Sequence, residues 1–270
     1  MLRKLKLLLA GAVASGAAPA RPPLDTTPDL PSAFGYKILW FAIRANDTAA
    51  VVSALAWPTV GPANWQSGLA AAMQMPTDPK APRHAFVAPP LHGWVLVVGA
   101  ALPYPDAGSE GDPSGIGARF RAMQRRLAER FADVQFFGSH RVVGFVTWSR
   151  LKPPAPERTF SFGDGTTMHN LGAQSAEEAR LGFADVSGLS HEAATQRLFE
   201  LSEARDEAIQ KQRQAGGAEA ARRERELRRQ PVPDEEDVLE LAALWSFSPM
   251  TLPGDASPGT GMLVQMPYPR

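Results

Sequence analysis

The chain has 270 residues, 44% of them hydrophobic, which is enough to fill one large core or two small ones. Lysine plus arginine number 28 and aspartate plus glutamate also number 28, so charge gives no general reason to expect a nucleic-acid partner. The chain has no cysteine, which excludes disulfides, thiolate metal sites and cysteine nucleophiles.

Residues 1–20 have the three-part pattern of a secretory signal peptide. Arg3, Lys4 and Lys6 precede a run of apolar and small residues, and Ala20 ends a motif that suits a signal peptidase. The run is shorter than the roughly 20 apolar residues that span a bilayer. We therefore expect a periplasmic or exported protein without a stable membrane span. A cytoplasmic protein that begins with an amphipathic helix is the alternative.

The first half of the folded body follows a proline-rich linker at residues 21–33. The predicted elements are a strand at residues 36–44, a helix at 48–56 capped by Asn46 or Asp47, a helix at 62–73 with Pro62 in its first turn, a short strand at 84–88, and a central strand at 93–99. The central strand is apolar throughout, which is typical of a strand covered on both faces.

The second half begins with the most regular amphipathic helix of the chain, which starts at Ile116. The next predicted elements are a hairpin at residues 134–150 with its turn at Gly138-Ser139-His140, a strand at 158–162, a turn at 163–165, a short helix opened by the Ser175 and Glu178 capping box, and a helix from Asp234 to Trp245.

Residues 190–230 are rich in alanine, glutamate, glutamine, arginine and leucine and predict a long charged helical insertion near the C-terminus. Leu198 and Leu201 give its first half an apolar stripe, whereas Gly216 and Gly217 interrupt the pattern. We expect the second half to project into solvent. Residues 253–270 predict a tail that follows the surface.

These elements predict an α+β fold with an antiparallel or mixed central sheet packed by helices. A single domain is expected over residues 34–252, including the insertion at 190–230. The linker at 21–33 and the tail at 253–270 flank this domain.

The histidines show no close spacing of the kind that a zinc site requires, so we expect neither a metal nor a cofactor. They are His84, His92, His140, His169 and His191. The sequence also lacks a nucleophile elbow, a phosphate loop and a dinucleotide fingerprint, and we assign no catalytic residue.

His140 is the most notable histidine, because Ser139 precedes it at a predicted turn and Asp133 lies at the other end of the same strand. Turn histidines are more often structural than catalytic. The alternative of an exported hydrolase requires His140, His169 and acidic residues to converge in the fold.

An acidic cluster stands at the start of the last predicted helix, at Asp234, Glu235, Glu236 and Asp237. Helix capping and the helix dipole account for such residues. The same carboxylates would also complement a basic cleft on a protein partner. We take these four residues, together with His140, as candidate partner-binding residues.

Three segments resemble a group of proteins from bacteria with GC-rich genomes: residues 92–99 (HGWVLVVG), 134–143 (VQFFGSHRVV) and 235–249 (EEDVLELAALWSFSP). Small α+β proteins of this kind are similar to immunity proteins, which bind and block a toxin delivered between competing bacteria, as by type VI secretion. The resemblance implies a protein partner, the cognate toxin effector, and no nucleic acid. It carries no catalytic residue onto this sequence, and residues 190–230 look like an insertion relative to the group.

Three hypotheses follow. The first is an exported immunity protein that neutralises an antibacterial toxin, and the second is the exported hydrolase. The third is a cytoplasmic partner or scaffold protein. A deep pocket that holds two or more of the candidate catalytic side chains favours the enzyme, whereas a shallow acidic surface favours the binding protein.

Overall fold

The computed structural model describes residues 24–78, 81–106, 115–155, 157–227, 229–252 and 254–267. Within these residues, nine strands form one sheet in the order β2-β9-β3-β4-β1-β5-β6-β7-β8, and every neighbouring pair is antiparallel. The strands are β1 (Leu39–Arg44), β2 (Thr59–Asn64), β3 (His84–Val87), β4 (Trp94–Val98), β5 (Val134–His140), β6 (Phe145–Leu151), β7 (Arg158–Gly163), β8 (Thr166–Leu171) and β9 (Thr260–Gln265).

Helices cover both faces of this sheet, which confirms the α+β fold. The helices are α1 (Thr48–Leu55), α2 (Trp65–Ala72), α3 (Ile116–Ala128), α4 (Ala176–Leu181), α5 (His191–Ala215), α6 (Gly217–Glu226) and α7 (Glu235–Trp245). We call the face covered by α1 and α3 the front face, and the face covered by α2, α4, α7 and the start of α5 the back face.

The centre of the sheet is buried from both sides, as the apolar runs predict. In β1, Phe41 points into the front core, where it packs on Phe136 and on Phe120 of α3. Trp40 points into the back core and stacks on Phe137. Because side chains alternate between the faces of a strand, a strand with a core on each side needs apolar residues at every position.

The hairpin at β5 and β6 forms, but the predicted turn at Gly138-Ser139-His140 is wrong. These residues belong to β5, and the chain reverses through a 3-10 turn at Arg141–Val143 that ends at Gly144, with φ 58°. Gly138 is needed for close packing, since a Cβ there would lie 2.2 Å from the Leu39 side chain. The glycine therefore indicates close approach of β5 to β1, and not a turn.

The C-terminal segment corrects a second expectation. Residues 260–265 form β9, which lies inside the sheet between β2 and β3. Leu263 and Val264 are fully buried, one in each core. At Gly261 a Cβ would lie 2.2 Å from the Val87 carbonyl oxygen, so the glycine allows this strand to pair closely with β3.

Pro62 lies in β2 and not in the first turn of a helix. β2 is an edge strand, where a residue without an N–H is tolerated. The helix begins three residues later, and Asn64 caps it by accepting a hydrogen bond from the Ser67 amide.

The described part of the predicted linker packs on the body. The Asp29 carboxylate accepts hydrogen bonds from the backbone amides of Trp65 and Gln66 at the start of α2. Residue Asp25 bonds to Asn64 and Ser67 through its backbone. The predicted signal peptide, residues 1–20, lies outside the described residues.

The charged insertion is two helices that break at Gly216, where φ is 65°. Only the start of α5 joins the back core, through Ala194 and Leu198. Helix α6 folds back along α5. Just after the end of α6, the Leu227 carbonyl oxygen accepts a hydrogen bond from the Arg205 side chain of α5.

Candidate functional site

The acidic cluster lies at the N-terminus of α7, which runs along β5 on the back face. The Gln135 side chain at one end of β5 donates a hydrogen bond to the carbonyl oxygen of Trp245, the last residue of α7. At the other end, the Arg141 guanidinium is 3.8 Å from the Glu235 carboxylate. The antiparallel packing of helix and strand therefore brings the start of α7 to the corner between β5 and β6.

Capping accounts for part of the cluster, as the sequence predicts. The Asp234 carboxylate accepts hydrogen bonds from the amides of Glu236 and Asp237, and the Asp237 carboxylate accepts one from the Asp234 amide. Asp237 is buried and also forms an ion pair with Arg229, which reaches Glu240 as well. Asp237 therefore stabilises the helix and the loop before it, and its carboxylate is not free at the surface.

The other acidic residues are available at the surface. Asp234 and Glu236 are exposed, and Glu235 is half-buried beside Arg141. We call these three residues, with Arg141 and Val142, the corner surface. Its most prominent apolar side chain is Val142, which is 67% exposed at the tip of the turn. His140 lies apart from this surface, because its cross-strand neighbour is Phe145 of the front core and its side chain is therefore on the front face.

One polar atom of the corner surface is buried without a hydrogen-bond partner in the described part of the chain. It is Oε2 of Glu235, and Nδ1 of His140 is in the same condition on the front face. Unsatisfied polar atoms of this kind cost free energy in the isolated protein, and a partner's donor or acceptor group can recover it. The sequence did not predict that Arg141 lies beside Glu235, because 93 residues of chain separate them.

The structure does not bring His140 and His169 together. His140 is at the end of β5 and His169 is in β8, and two strands, β6 and β7, lie between them. With neighbouring strands about 4.8 Å apart, the two backbones are roughly 14 Å apart across the sheet. A hydrolase site built from both histidines is therefore not assembled in this fold.

His169 has its own polar surroundings. Its cross-strand neighbour is the buried Ser161, and its ring lies 6.1 Å from the His191 ring. Desolvation lowers the pKa of His169 to about 4, and the nearby charges of His191 and Arg121 act in the same direction. In the described residues, Nδ1 of His169 and Oγ of Ser161 each lack a hydrogen-bond partner, so no serine–histidine hydrogen bond forms.

A row of buried hydroxyls lies beneath α3, close to Ser161, and was missed from the sequence. The Gln124 amide donates to Ser149 Oγ at 2.6 Å, and the Ser149 and Thr159 hydroxyls are 2.7 Å apart. The alternation of small polar residues in β6 and β7, at Thr147, Ser149, Thr159 and Ser161, was the available signal. These groups mostly satisfy one another, which is the usual role of buried polar residues.

No group of three or more metal-ligating side chains occurs among the residues that the structure describes. In the same residues, no helix combines the length and the apolar character that a membrane crossing requires. No protein-family model, curated protein or solved structure was found to match this chain.

Proposed function

We propose that the protein is an exported binding protein of the immunity type, which neutralises an antibacterial toxin by covering it with the corner surface. The observation that supports this proposal is the placement of the exposed carboxylates of Asp234 and Glu236 beside the turn that carries Arg141 and the exposed Val142. The signal-like residues 1–20 support export to the periplasm.

The chemistry of the corner surface fits a protein partner with a basic cleft. Carboxylates attract a cationic surface over several ångströms and speed the encounter of the two proteins. Val142 then supplies an apolar contact that is removed from water on binding. Toxins that act on nucleic acids or other anionic substrates carry basic clefts, and an acidic surface can occupy such a cleft and exclude the substrate.

The test is co-expression with the product of the neighbouring gene, followed by growth assays and affinity measurements. We expect growth rescue by the wild-type chain and a complex that weakens as salt rises, because salt screens attraction between exposed charges. If neither rescue nor a complex is seen, the proposal is wrong.

Substitutions locate the interface. We expect Glu236→Lys combined with Val142→Ser to weaken the complex at least tenfold and to abolish rescue, since the first change reverses a surface charge and the second removes the apolar contact. The matched control is Glu207→Lys, which makes the same charge change at an exposed position of α5. An equal loss of affinity in the control would show that the corner surface is not the interface.

A further inference from the structure

A cavity of about 240 Å³ lies on the front face, between α1, α3 and the end of β9. Its apolar lining includes Leu55 and Trp57 at the end of α1, Met123 and Leu127 of α3, and Met266. An apolar cavity of about 150 Å³ admits benzene, so this one has room for a larger hydrocarbon group.

The polar part of the cavity is cationic. Arg83, Arg119 and Arg126 line it, and no carboxylate is among its lining residues in the described chain. Arg126 has a structural partner, because its guanidinium donates a hydrogen bond to the Leu55 carbonyl oxygen at 3.0 Å. The C-terminus of α1 thus stabilises one of the three cationic side chains, Arg126.

Arg83 and Arg119 are left with unused donors. The Nε atom of each is buried and has no hydrogen-bond partner among the described residues. A buried donor without an acceptor is costly, and a bound oxygen would remove that cost. Guanidinium groups bind carboxylates particularly well, through two parallel hydrogen bonds.

We propose that this cavity binds a small amphipathic carboxylate, such as a medium-chain fatty acid, with its alkyl chain between α1 and α3. The carboxylate pairs with Arg83 and Arg119, and the chain lies against Met123 and Leu127. The limited volume favours a small free acid over a protein segment or a bilayer surface. This site is on the front face, so the proposal is independent of partner binding through the corner surface.

Calorimetric titration of the purified chain with sodium octanoate and with 1-octanol tests the charge requirement. We expect octanoate to bind at least tenfold more tightly than the alcohol, because only the carboxylate satisfies the arginines. Across the series from butanoate to octanoate, affinity should rise roughly fourfold for each added methylene, since each removes apolar surface from water. Equal binding of octanoate and octanol, or no binding of octanoate at millimolar concentration, would overturn the proposal.

Variants locate the site on the protein. Arg119→Gln and Arg83→Gln should each weaken octanoate binding at least tenfold and leave octanol binding unchanged. Arg125→Gln is the matched control, because Arg125 is an exposed arginine of the same helix outside the cavity lining. Thermal unfolding of each variant checks that it folds. An equal effect of the Arg125 change would contradict the assignment.

Vesicles of anionic phospholipid distinguish a free acid from a lipid headgroup. We expect the chain to bind octanoate and not to sediment with the vesicles. Sedimentation with vesicles that depends on Arg119, without octanoate binding, would show a membrane surface as the ligand and would overturn the proposal.

Discussion

Glu178 shows how one buried carboxylate can serve a helix and a sheet together. Its side chain accepts hydrogen bonds from Nε1 of Trp148 at 2.8 Å and from Nε of Arg158 at 3.0 Å. It also accepts one from the Ser175 amide, which closes the predicted capping box of α4. Separating Glu178 from Arg158 would leave a buried charge unpaired. The ion pair therefore stabilises the packing of α4 on the back face.

His169 shows how burial sets the protonation state of a side chain. Its imidazole is partly removed from water, and positive groups on α3 and α5 lie nearby, so the native protein disfavours the charged form. At neutral pH the ring is therefore uncharged.

The pH dependence of stability follows from the lowered pKa of His169. Between about pH 6.5 and pH 4 the unfolded chain binds a proton at this residue that the native chain does not, so the free energy of unfolding falls as pH falls through this range. Between pH 7.5 and pH 5 we expect wild type to lose roughly 1–2 kcal/mol more than His169→Asn, after allowance for partial solvent screening. Urea unfolding at the two pH values measures the difference.

NMR titration of the imidazole gives an independent check of this prediction. The His169 resonance should shift with a midpoint near pH 4. A midpoint at the ordinary value of 6.5, or equal pH dependence in wild type and His169→Asn, would show that the environment of His169 does not disfavour the charged form.

At the scale of the elements, glycines set how closely helices and strands approach. Gly68 of α2 lies against Phe86 of β3, whose ring also makes an edge contact with Trp65 at 5.6 Å. A Cβ at Gly68 would lie 2.3 Å from the Phe86 ring, so any larger residue forces the helix away from the sheet. The helix pattern of α2 is visible in the sequence, whereas this contact is not.

Gly68→Ala should destabilise the protein by about 1–3 kcal/mol, because overpacking against Phe86 outweighs the gain of about 1 kcal/mol in helix propensity. The measurement is the free energy of unfolding in urea. In a Phe86→Leu background the same change should cost less, since the smaller side chain makes room. Stabilisation by Gly68→Ala in the wild-type background would show that α2 and β3 are not in close contact.

At the scale of the whole molecule, the hydrophobic cores on the two faces of the sheet stabilise the fold, and the outer part of the charged insertion does not. Phe199, whose ring centroid is 6.4 Å from that of Phe162, makes the last ring contact of α5 with the back core. Farther along α5, the buried Ile209 lies in the hairpin with α6. The ion pair between Arg213 and Glu224 joins the two helices to each other. This part of the chain is thus a local hairpin on a sheet that is complete without it.

Replacement of residues 206–226 by a short Gly-Ser linker should leave the fold intact. The ends are close, since the Arg205 Nε atom and the Leu227 carbonyl oxygen are 2.7 Å apart. We expect the free energy of unfolding to change by less than about 2 kcal/mol, because loop length has a weak effect on closure entropy. Circular dichroism and urea unfolding test this, and a loss of cooperative unfolding would show that the hairpin supports the core.

Signals within a few residues were enough for much of the fold. The Asp47 cap of α1, the capping boxes at Ser175 and Asp234, and the apolar runs of β1 and β4 all appear in the structure as the sequence predicts. Caps and side-chain periodicity depend on neighbours along the chain, so the local sequence determines them.

Pairing between distant segments was decided only by the tertiary structure. β9 has a weak local strand pattern and gains its stability from β2 and β3, about 180–200 residues earlier in the chain. The same applies to the candidate site: the sequence identified the acids at the start of α7, but only the packing of α7 on β5 placed Glu235 beside Arg141 and turned Asp237 toward Arg229. Contacts between residues so far apart depend on the whole sheet, and no local pattern encodes them.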